Sequence, residues 1–401
     1  MVDSTPLVRS GIVSKSVWRV WGGTHTMPLI EGEGAEAVFA IAALAECNPF
    51  VPERGVLMQR ALGPAYIPFG PVWHSEGDAL LADPNAPILR QRVEELGAGL
   101  RAKVVAGKRG SDAEYDAYRG LVSYLLWLRY EDDWYYLSPH AVGEVPITDA
   151  AACYKRFSPD VLHFLKPLPG PDPDVPHLFA LGFQMRRAFD HIFRRIYGGS
   201  FPAAMLRASV WESLFTHSAR RYRSMLFSKM RDTPILITGE SGTGKELVAR
   251  AIALSQYVPF NPATGAFEAD PESCFTPVNL SELPGSLVEA EMFGHARGAY
   301  TDAKDERQGC FEMCGSYGAV FLDEIGDLDP AVQLKLLRVL QSRQFQRLGE
   351  NVRRNFEGKV IAATNRDLEG AMVTGRFRSD LYYRICADSI ETPSLREQLA
   401  S

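Results

Sequence analysis

Gly239-Glu240-Ser241-Gly242-Thr243-Gly244-Lys245-Glu246 follows directly on the apolar run Ile235-Leu236-Ile237-Thr238, and this junction decides how the second half of the chain is read. Glycines at 239, 242 and 244 let the backbone curl until successive N–H groups point inward at phosphate oxygens, and Lys245 supplies a point charge for the outer phosphates. The segment from Glu246 to Ser255 is expected to form a helix whose N-terminal dipole adds to the same site. A G-x-x-x-x-G-K pattern also arises by chance; the strand before it and the helix after it give it meaning. Nucleotide binding is the leading expectation.

A second element of the same chemistry lies downstream. Gly318-Ala319-Val320-Phe321-Leu322-Asp323-Glu324 reads as a buried strand ending in two carboxylates. In a parallel sheet those acids stand at the carboxyl end of the strands, beside the phosphate loop. Asp323 is then suited to holding magnesium, directly or through water, and Glu324 to orienting and deprotonating an attacking water. A third strand, Lys359-Val360-Ile361-Ala362-Ala363-Thr364, ends in Asn365, a polar group able to sense the terminal phosphate.

Composition sets outer limits. The 401 residues, 46% of them hydrophobic, suffice for two or three globular domains. No apolar run approaches the roughly 20 residues that span a bilayer, the longest being Ala37 to Ala45. The start shows no basic region followed by an apolar core, and six scattered cysteines suit reduced thiols better than a disulfide framework, so a cytoplasmic setting is expected. Cys310 and Cys314 lack a second Cys or His pair at zinc spacing.

The net charge of −6 is unevenly spread: from Gln184 to Met230 eight Arg and one Lys face only Asp190 and Glu212, a local balance of +7. Apolar residues at helical spacing in the same stretch predict two amphipathic helices broken at Gly198-Gly199-Ser200-Phe201-Pro202. Two readings stay open, a connector with a solvated Arg face and a surface that docks nucleic acid or a partner. Lys166 to Pro176, rich in proline, reads as a linker. Before it, Asp112 to Arg129 reads as a helix and Trp134-Tyr135-Tyr136-Leu137 as strand-like, while Trp18, Trp21, His74, His140 and His163 stand in no catalytic pattern. The expected organisation is an α+β sensory or interaction domain over 1–166, a linker with basic helices over 167–230, and a three-layer α/β/α sheet over 231–401.

Further ordered motifs sharpen this. They are Glu291-Met292-Phe293-Gly294-His295-Ala296-Arg297-Gly298-Ala299-Tyr300-Thr301-Asp302-Ala303, Leu322-Asp323-Glu324-Ile325-Gly326-Asp327, Leu336-Leu337-Arg338-Val339-Leu340-Gln341, Ala363-Thr364-Asn365-Arg366-Asp367-Leu368 and Phe377-Arg378-Ser379-Asp380-Leu381-Tyr382-Tyr383-Arg384. With the GESGTGKE loop, they make residues 233–398 resemble the AAA+ ATPase domain of bacterial sigma-54-dependent transcriptional activators. The resemblance implies a cytoplasmic protein that uses ATP and Mg2+ to remodel sigma-54 RNA polymerase as a homo-oligomeric ring, a hexamer in the complete protein. It implies that Glu246 joins Asp323 at the metal and that Asn279 restrains Glu324 as a switch. Arg378 and Arg384 would be arginine fingers reaching a neighbouring subunit. Gly298, Ala299, Tyr300, Thr301, Asp302 and Ala303 would contact sigma-54.

The chain departs from the family pattern in three places. Lys245 and Asn279 are 34 positions apart, longer than the family spacing, with the excess expected as a surface loop over Pro259 to Glu272. Asp302 replaces a glycine of the GAFTGA pattern and adds charge at the loop tip. The sequence stops at Ser401, just after Leu395-Arg396-Glu397, so the small helical lid and the helix-turn-helix that binds DNA are expected to lie outside it. On that expectation these 401 residues hydrolyse ATP weakly and bind DNA only through the Arg-rich segment. An AAA+ remodeller with another target, or a non-catalytic regulatory fragment, are the alternatives.

Overall fold

The computed structural model describes residues 28–400 apart from 33, 69–82, 138–148, 217, 271–273, 283 and 301–303. Five helices come first: α1 (Ala35–Leu44), α2 (Glu53–Leu62), α3 (Asn85–Val105), α4 (Asp112–Tyr136) and α5 (Ala150–Leu165). They are followed by α6 (Val175–Arg195), α7 (Phe201–Phe215) and the short turn α8 (Ala219–Arg221). Local chemistry starts several of them. Ser111 and Glu114 form a reciprocal capping box on α4, Asp174 accepts from the His177 N–H on α6, and Ser200 accepts from the Ala203 N–H on α7. Pro176 and Pro202 fall in first helical turns, where a missing N–H costs nothing. Helix α6 therefore begins inside the Pro-rich linker rather than after it.

The remaining chain alternates strands and helices. In order they are β1 (Ile235–Thr238), α9 (Lys245–Ala253), the hairpin β2 (Phe260–Asn261) and β3 (Ala266–Phe267), β4 (Phe275–Asn279), α10 (Gly285–Phe293), α11 (Cys310–Met313), β5 (Ala319–Asp323) and α12 (Pro330–Ser342). A second hairpin, β6 (Gln344–Phe345) and β7 (Arg354–Asn355), precedes β8 (Lys359–Thr364), α13 (Leu368–Val373), α14 (Ser379–Ile385), β9 (Ser389–Glu391) and α15 (Leu395–Ala400). Five strands form one all-parallel sheet in the order β4-β5-β8-β1-β9. Because β1 is flanked by β8 and β9, strand order reverses beside it, and the crevice at the carboxyl edge there is where α/β sheets bind ligands.

Alternation along each strand splits the sheet into two covered faces. Leu236, Val320, Leu322, Val360 and Ala362 pack with α10, α11, α12 and α14. Ile235, Ile237, Phe321, Ile361 and Ala363 pack with α9 and with Ala188, Ile192, Leu206, Val210 and Leu214 from α6 and α7. Strands buried on both faces read as continuous apolar runs, which is why Ile235 to Ile237 and Val320 to Leu322 carry no polar residue.

Helix α6 is shared between two cores. Phe179, Ala180 and Phe183 enter the N-terminal helical core while Leu181, Ala188 and Ile192 enter the core beneath the sheet. At Gly182 a Cβ would lie 2.1 Å from the Trp134 ring, so α4 and α6 cross where only glycine fits.

Three expectations are corrected. Among the described residues the region before 166 is helical throughout, not α+β: Trp134 to Tyr136 close α4, because buried Leu126, Tyr130 and Trp134 continue one helical stripe at i, i+4. Packing overrides the strand preference of aromatic residues there. The extra length near Pro259 is a hairpin rather than a free surface loop. Phe260 sits 4.7 Å from Tyr154 and 4.8 Å from Phe179 between ring centroids, and Phe267 lies 4.4 Å from Phe183. Finally, the basic segment is largely consumed within the fold. Arg187 and Arg207 are buried, Arg194 donates to Tyr135, and Arg220 and Arg223 pair with Asp116 and Glu46.

Candidate nucleotide site

Strand β1 delivers the phosphate loop to the carboxyl edge. Gly239, Gly242 and Gly244 have φ of 146°, 79° and 87°, backbone that side-chain-bearing residues rarely adopt. Gly239 is further constrained, since a Cβ there would lie 2.1 Å from Thr392 Oγ1. Helix α9 starts at Lys245, one residue earlier than the sequence suggested, with Gly244 in the left-handed region as its N-cap. The Lys245 ammonium donates to the Gly239 and Glu240 carbonyls, both at 3.1 Å, and so lies across the mouth of the loop. A loop turned by three left-handed glycines and closed by one cation suits a polyphosphate.

A residue that motif reading missed braces this loop. The Thr392 N–H and hydroxyl donate to the Thr238 carbonyl at 2.8 and 3.0 Å, and its hydroxyl lies 2.7 Å from that of Thr243. Thr392 follows directly on β9, so only the β1–β9 register places it there. Nothing in its local sequence marks it. Exposed Arg396 adds a weak ion pair to Glu240 at 3.2 Å.

The acids arrive on β5. Burial, and then the charge of Glu324, push the Asp323 carboxyl above the ordinary carboxylate range, opposed by a Glu324 N–H bond to Asp323 Oδ1 and by Lys245. Glu246 pushes it up too, which sets Asp323, Glu324, Lys245 and Glu246 within electrostatic reach of one another. Glu324 itself has φ 55° and ψ 50°, a left-handed backbone that costs a non-glycine residue on the order of 1 kcal/mol or more. Its Oε2 accepts the Asn365 N–H at 3.1 Å, which holds the carboxylate across to the end of β8. Among the described residues no three acids gather as a metal cage, so the half-buried carboxylate of Asp323 would offer Mg2+ one or two oxygens, with phosphate and water left to supply the rest. Asp323 is the residue best placed to hold the ion. Glu246, exposed and paired with Arg250 at 3.4 Å, is the outer candidate.

Asn279 sits in register with Asp323 on the neighbouring strand, yet the contact expected of a switch is not made. Its amide donates to Glu282 at 2.9 Å and its carbonyl oxygen accepts from the Ser281 N–H and hydroxyl. Glu324 is restrained by Asn365 instead. The two arginines lie on α14 and bond locally. Arg378, the N-cap, forks onto Asp380 at 3.0 and 2.7 Å, while Arg384 donates at 2.8 Å to the Leu340 carbonyl in the last turn of α12. Both are exposed, so neither is committed to the interior.

The segment after α10 is built on two glycines in backbone contact. A Cβ at Gly294 would lie 2.6 Å from the Arg307 carbonyl oxygen, and one at Gly309 would lie 2.3 Å from the Gly294 nitrogen. His295 and Arg307 exchange backbone bonds, and Ala296 and Gly294 bond Leu348 of the β6–β7 hairpin. Buried Arg347 of that hairpin forks onto Glu312 at 2.8 and 2.6 Å and reaches Glu306, clamping the base of the segment. The sequence offered no sign of this second support. Gly298 has φ 77°, and the Tyr300 ring stands edge-on to His295 at 5.0 Å. Thr301, Asp302 and Ala303 lie outside the described residues, as do Trp18, Trp21, His74 and His140.

Residues 215–391 match the family described as Sigma-54 interaction domain. HoxA of Bradyrhizobium diazoefficiens, a hydrogenase transcriptional regulatory protein, is 47% identical over 167 residues, 42% of this chain and 32% of that protein. The Nif-specific regulatory protein of Azotobacter vinelandii is 44% identical over 169 residues, covering 42% and 30% of the two chains. The chain thus spans about a third of the length of these relatives. Among solved structures, NtrX from Brucella abortus in complex with ATP is 26% identical with a TM-score of 0.39, covering 57% of this chain and 45% of that one. The region from 215 to 391 is an AAA+ domain of the sigma-54-dependent activator type.

Proposed function

We propose that this chain is the part of a bacterial transcriptional activator that hydrolyses ATP and uses the energy to remodel sigma-54 RNA polymerase. One observation carries the reading: the phosphate loop, Asp323 and Glu324 converge at the carboxyl edge of one parallel sheet, next to the strand where its order reverses. The inward N–H groups of 239–245 bind and orient the phosphates, and Lys245 leaves the loop carbonyls to meet the outer ones. Asp323 would hold Mg2+, which would supply positive charge to screen the transferred phosphoryl. Glu324 accepts the proton of the attacking water once its bond to the Asn365 N–H is given up, and Asn279, one strand away, is placed to take part in that exchange.

Arg378 and Arg384 supply guanidinium groups to the site of a neighbouring subunit in a homo-oligomeric ring. The Arg378–Asp380 pair is exposed and worth at most about 1 kcal/mol, so Arg378 releases easily, while Arg384 must give up its bonds to the Leu340 carbonyl. The segment around Tyr300, clamped at its base by Gly294, Gly309 and Arg347, delivers the remodelling contact. Thr301→Ala is therefore expected to leave ATP turnover within about two-fold of wild type while abolishing capture of sigma-54 in the presence of a transition-state mimic of ATP hydrolysis. Equal capture by wild type and Thr301→Ala would reassign the motor to another protein target.

A further inference from the structure

At the amino edge of the sheet, opposite the nucleotide loop, lies a cavity of about 180 Å³ between α6, α7, the turn from 222 to 231 and the chain that leaves α9. An apolar cavity of roughly 150 Å³ is enough to hold benzene. Its walls are ring-rich, with Tyr222, Phe227, Tyr257 and Tyr317 all facing it.

Its polar groups fall into two classes. Several are satisfied: the Gln184 amide donates to the Ser255 carbonyl and accepts from the Tyr222 hydroxyl, and the Tyr257 hydroxyl bonds His177 Nδ1 at 2.8 Å. Others are not. The Ser213 side chain is 5% exposed and its hydroxyl has no partner among the described residues. The Arg231 Nε–H is likewise unpartnered, although its Nη1 donates to the Ser316 carbonyl at 3.1 Å. The buried Lys359 ammonium donates to the Met230 and Thr233 carbonyls at 2.8 and 2.7 Å, which leaves one of its three hydrogens unspent. Arg231 and Lys359 can only donate, the Ser213 hydroxyl can donate as well as accept, and none of the residues lining the cavity is a carboxylate. Such a wall leaves a desolvation cost that an acceptor would remove.

We propose that this cavity is a binding site for a small ring-bearing carboxylate, its ring among the four aromatic side chains and its oxygens on Ser213, Arg231 and Lys359. The site is distinct from the nucleotide loop, which lies at the other end of α9. A helix of nine residues separates the two by about 13 Å. Because α6 and α7 build its walls and the exit of α9 closes it, occupancy bears on how the N-terminal helices seat against the sheet.

Benzoate serves as the probe and benzyl alcohol as its uncharged counterpart, titrated calorimetrically into the 401-residue chain. Benzoate is expected to bind saturably at one site and at least about ten-fold more tightly than benzyl alcohol, the ratio a charge-assisted hydrogen bond supplies. Ser213→Ala, which keeps the space, should weaken benzoate several-fold; Ser213→Phe, which fills it, should abolish binding while ATP binding persists. Amide shifts on benzoate addition should cluster at Ser213, Tyr257 and Lys359, a readout that stands even if Ser213→Phe does not fold. No saturable binding, equal affinity for the two probes, binding indifferent to Ser213→Ala, or shifts elsewhere would overturn the proposal and leave the cavity to ordered water.

Discussion

The two faces of the parallel sheet are closed by different parts of the chain. One is covered by α10, α11, α12 and α14, all from the stretch that also supplies the acids and arginines of the nucleotide site. The other is covered by α9 together with α6 and α7, and α6 is at the same time a wall of the N-terminal helical core. The first face is self-contained. The second makes the seating of the phosphate loop depend on helices that lie outside the catalytic motifs. Helix α9 carries Lys245 at one end and, past its other end, meets α6 through the bond from Gln184 to the Ser255 carbonyl and that from Arg187 to the Gln256 carbonyl. A change in how the N-terminal helices pack has a short physical path to the loop along this face.

The comparison breaks most sharply at the first hairpin. If β2–β3 were an ordinary surface loop, Phe260→Ala would alter stability by no more than about 0.5 kcal/mol. Packed as it is against Tyr154 and Phe179, its loss should cost about 3–5 kcal/mol. Denaturant unfolding followed by intrinsic tryptophan fluorescence measures this directly, and a cost under 1 kcal/mol would detach the hairpin from the N-terminal core.

Gly182 gives a smaller effect on the same joint. Gly182→Ala gains helix propensity but drives a methyl into the Trp134 ring, and overpacking of that kind costs about 1–3 kcal/mol. Gly99→Ala in α3, where a Cβ meets nothing within 4 Å, should instead stabilise by up to about 1 kcal/mol. Thermal melts of the pair settle whether α6 sits against α4 as closely as described.

The last effect is one of pH. Burial pushes the Lys359 ammonium down to about 7 from its ordinary 10.5, with Asp388 and Asp232 raising it and Arg343 lowering it further. With the folded value below the unfolded one, the ammonium costs stability in full below pH 7. The cost then shrinks as pH rises and is gone above the unfolded value. Wild type should therefore gain stability relative to Lys359→Met between pH 6.5 and 9.5, seen as a widening gap in denaturant midpoints. A gap that stays constant would mean that Lys359 is not buried as a cation.

The same contrast explains what could be read from the residues alone. Phosphate chemistry needs Gly239, Gly242, Gly244 and Lys245 within one loop, and Asp323 and Glu324 at the end of one apolar strand, so each signal is local in the chain. Thr392 was invisible because its position comes from the register of β9 on β1, a contact across about 150 residues. Asn279 stands in register with Asp323, but which partners its amide takes depends on Glu282 and Ser281, which no spacing rule reports. In the N-terminal part the aromatic run at 134–136 carries strand preference, and only packing on Phe157 and Phe179 makes it helical. The arginines of 186–223 looked like a solvated face because charge counts carry no burial; in the fold many of them are structural.

The most direct test of the account separates binding from turnover at the nucleotide loop. Lys245→Ala should lose ATP affinity, whereas Glu324→Gln should bind ATP as wild type does and hydrolyse it at least about 100-fold more slowly, because only the base is removed. Turnover by Glu324→Gln equal to that of wild type, with ATP still bound, would contradict the assignment of the end of β5 as the place that delivers the catalytic base.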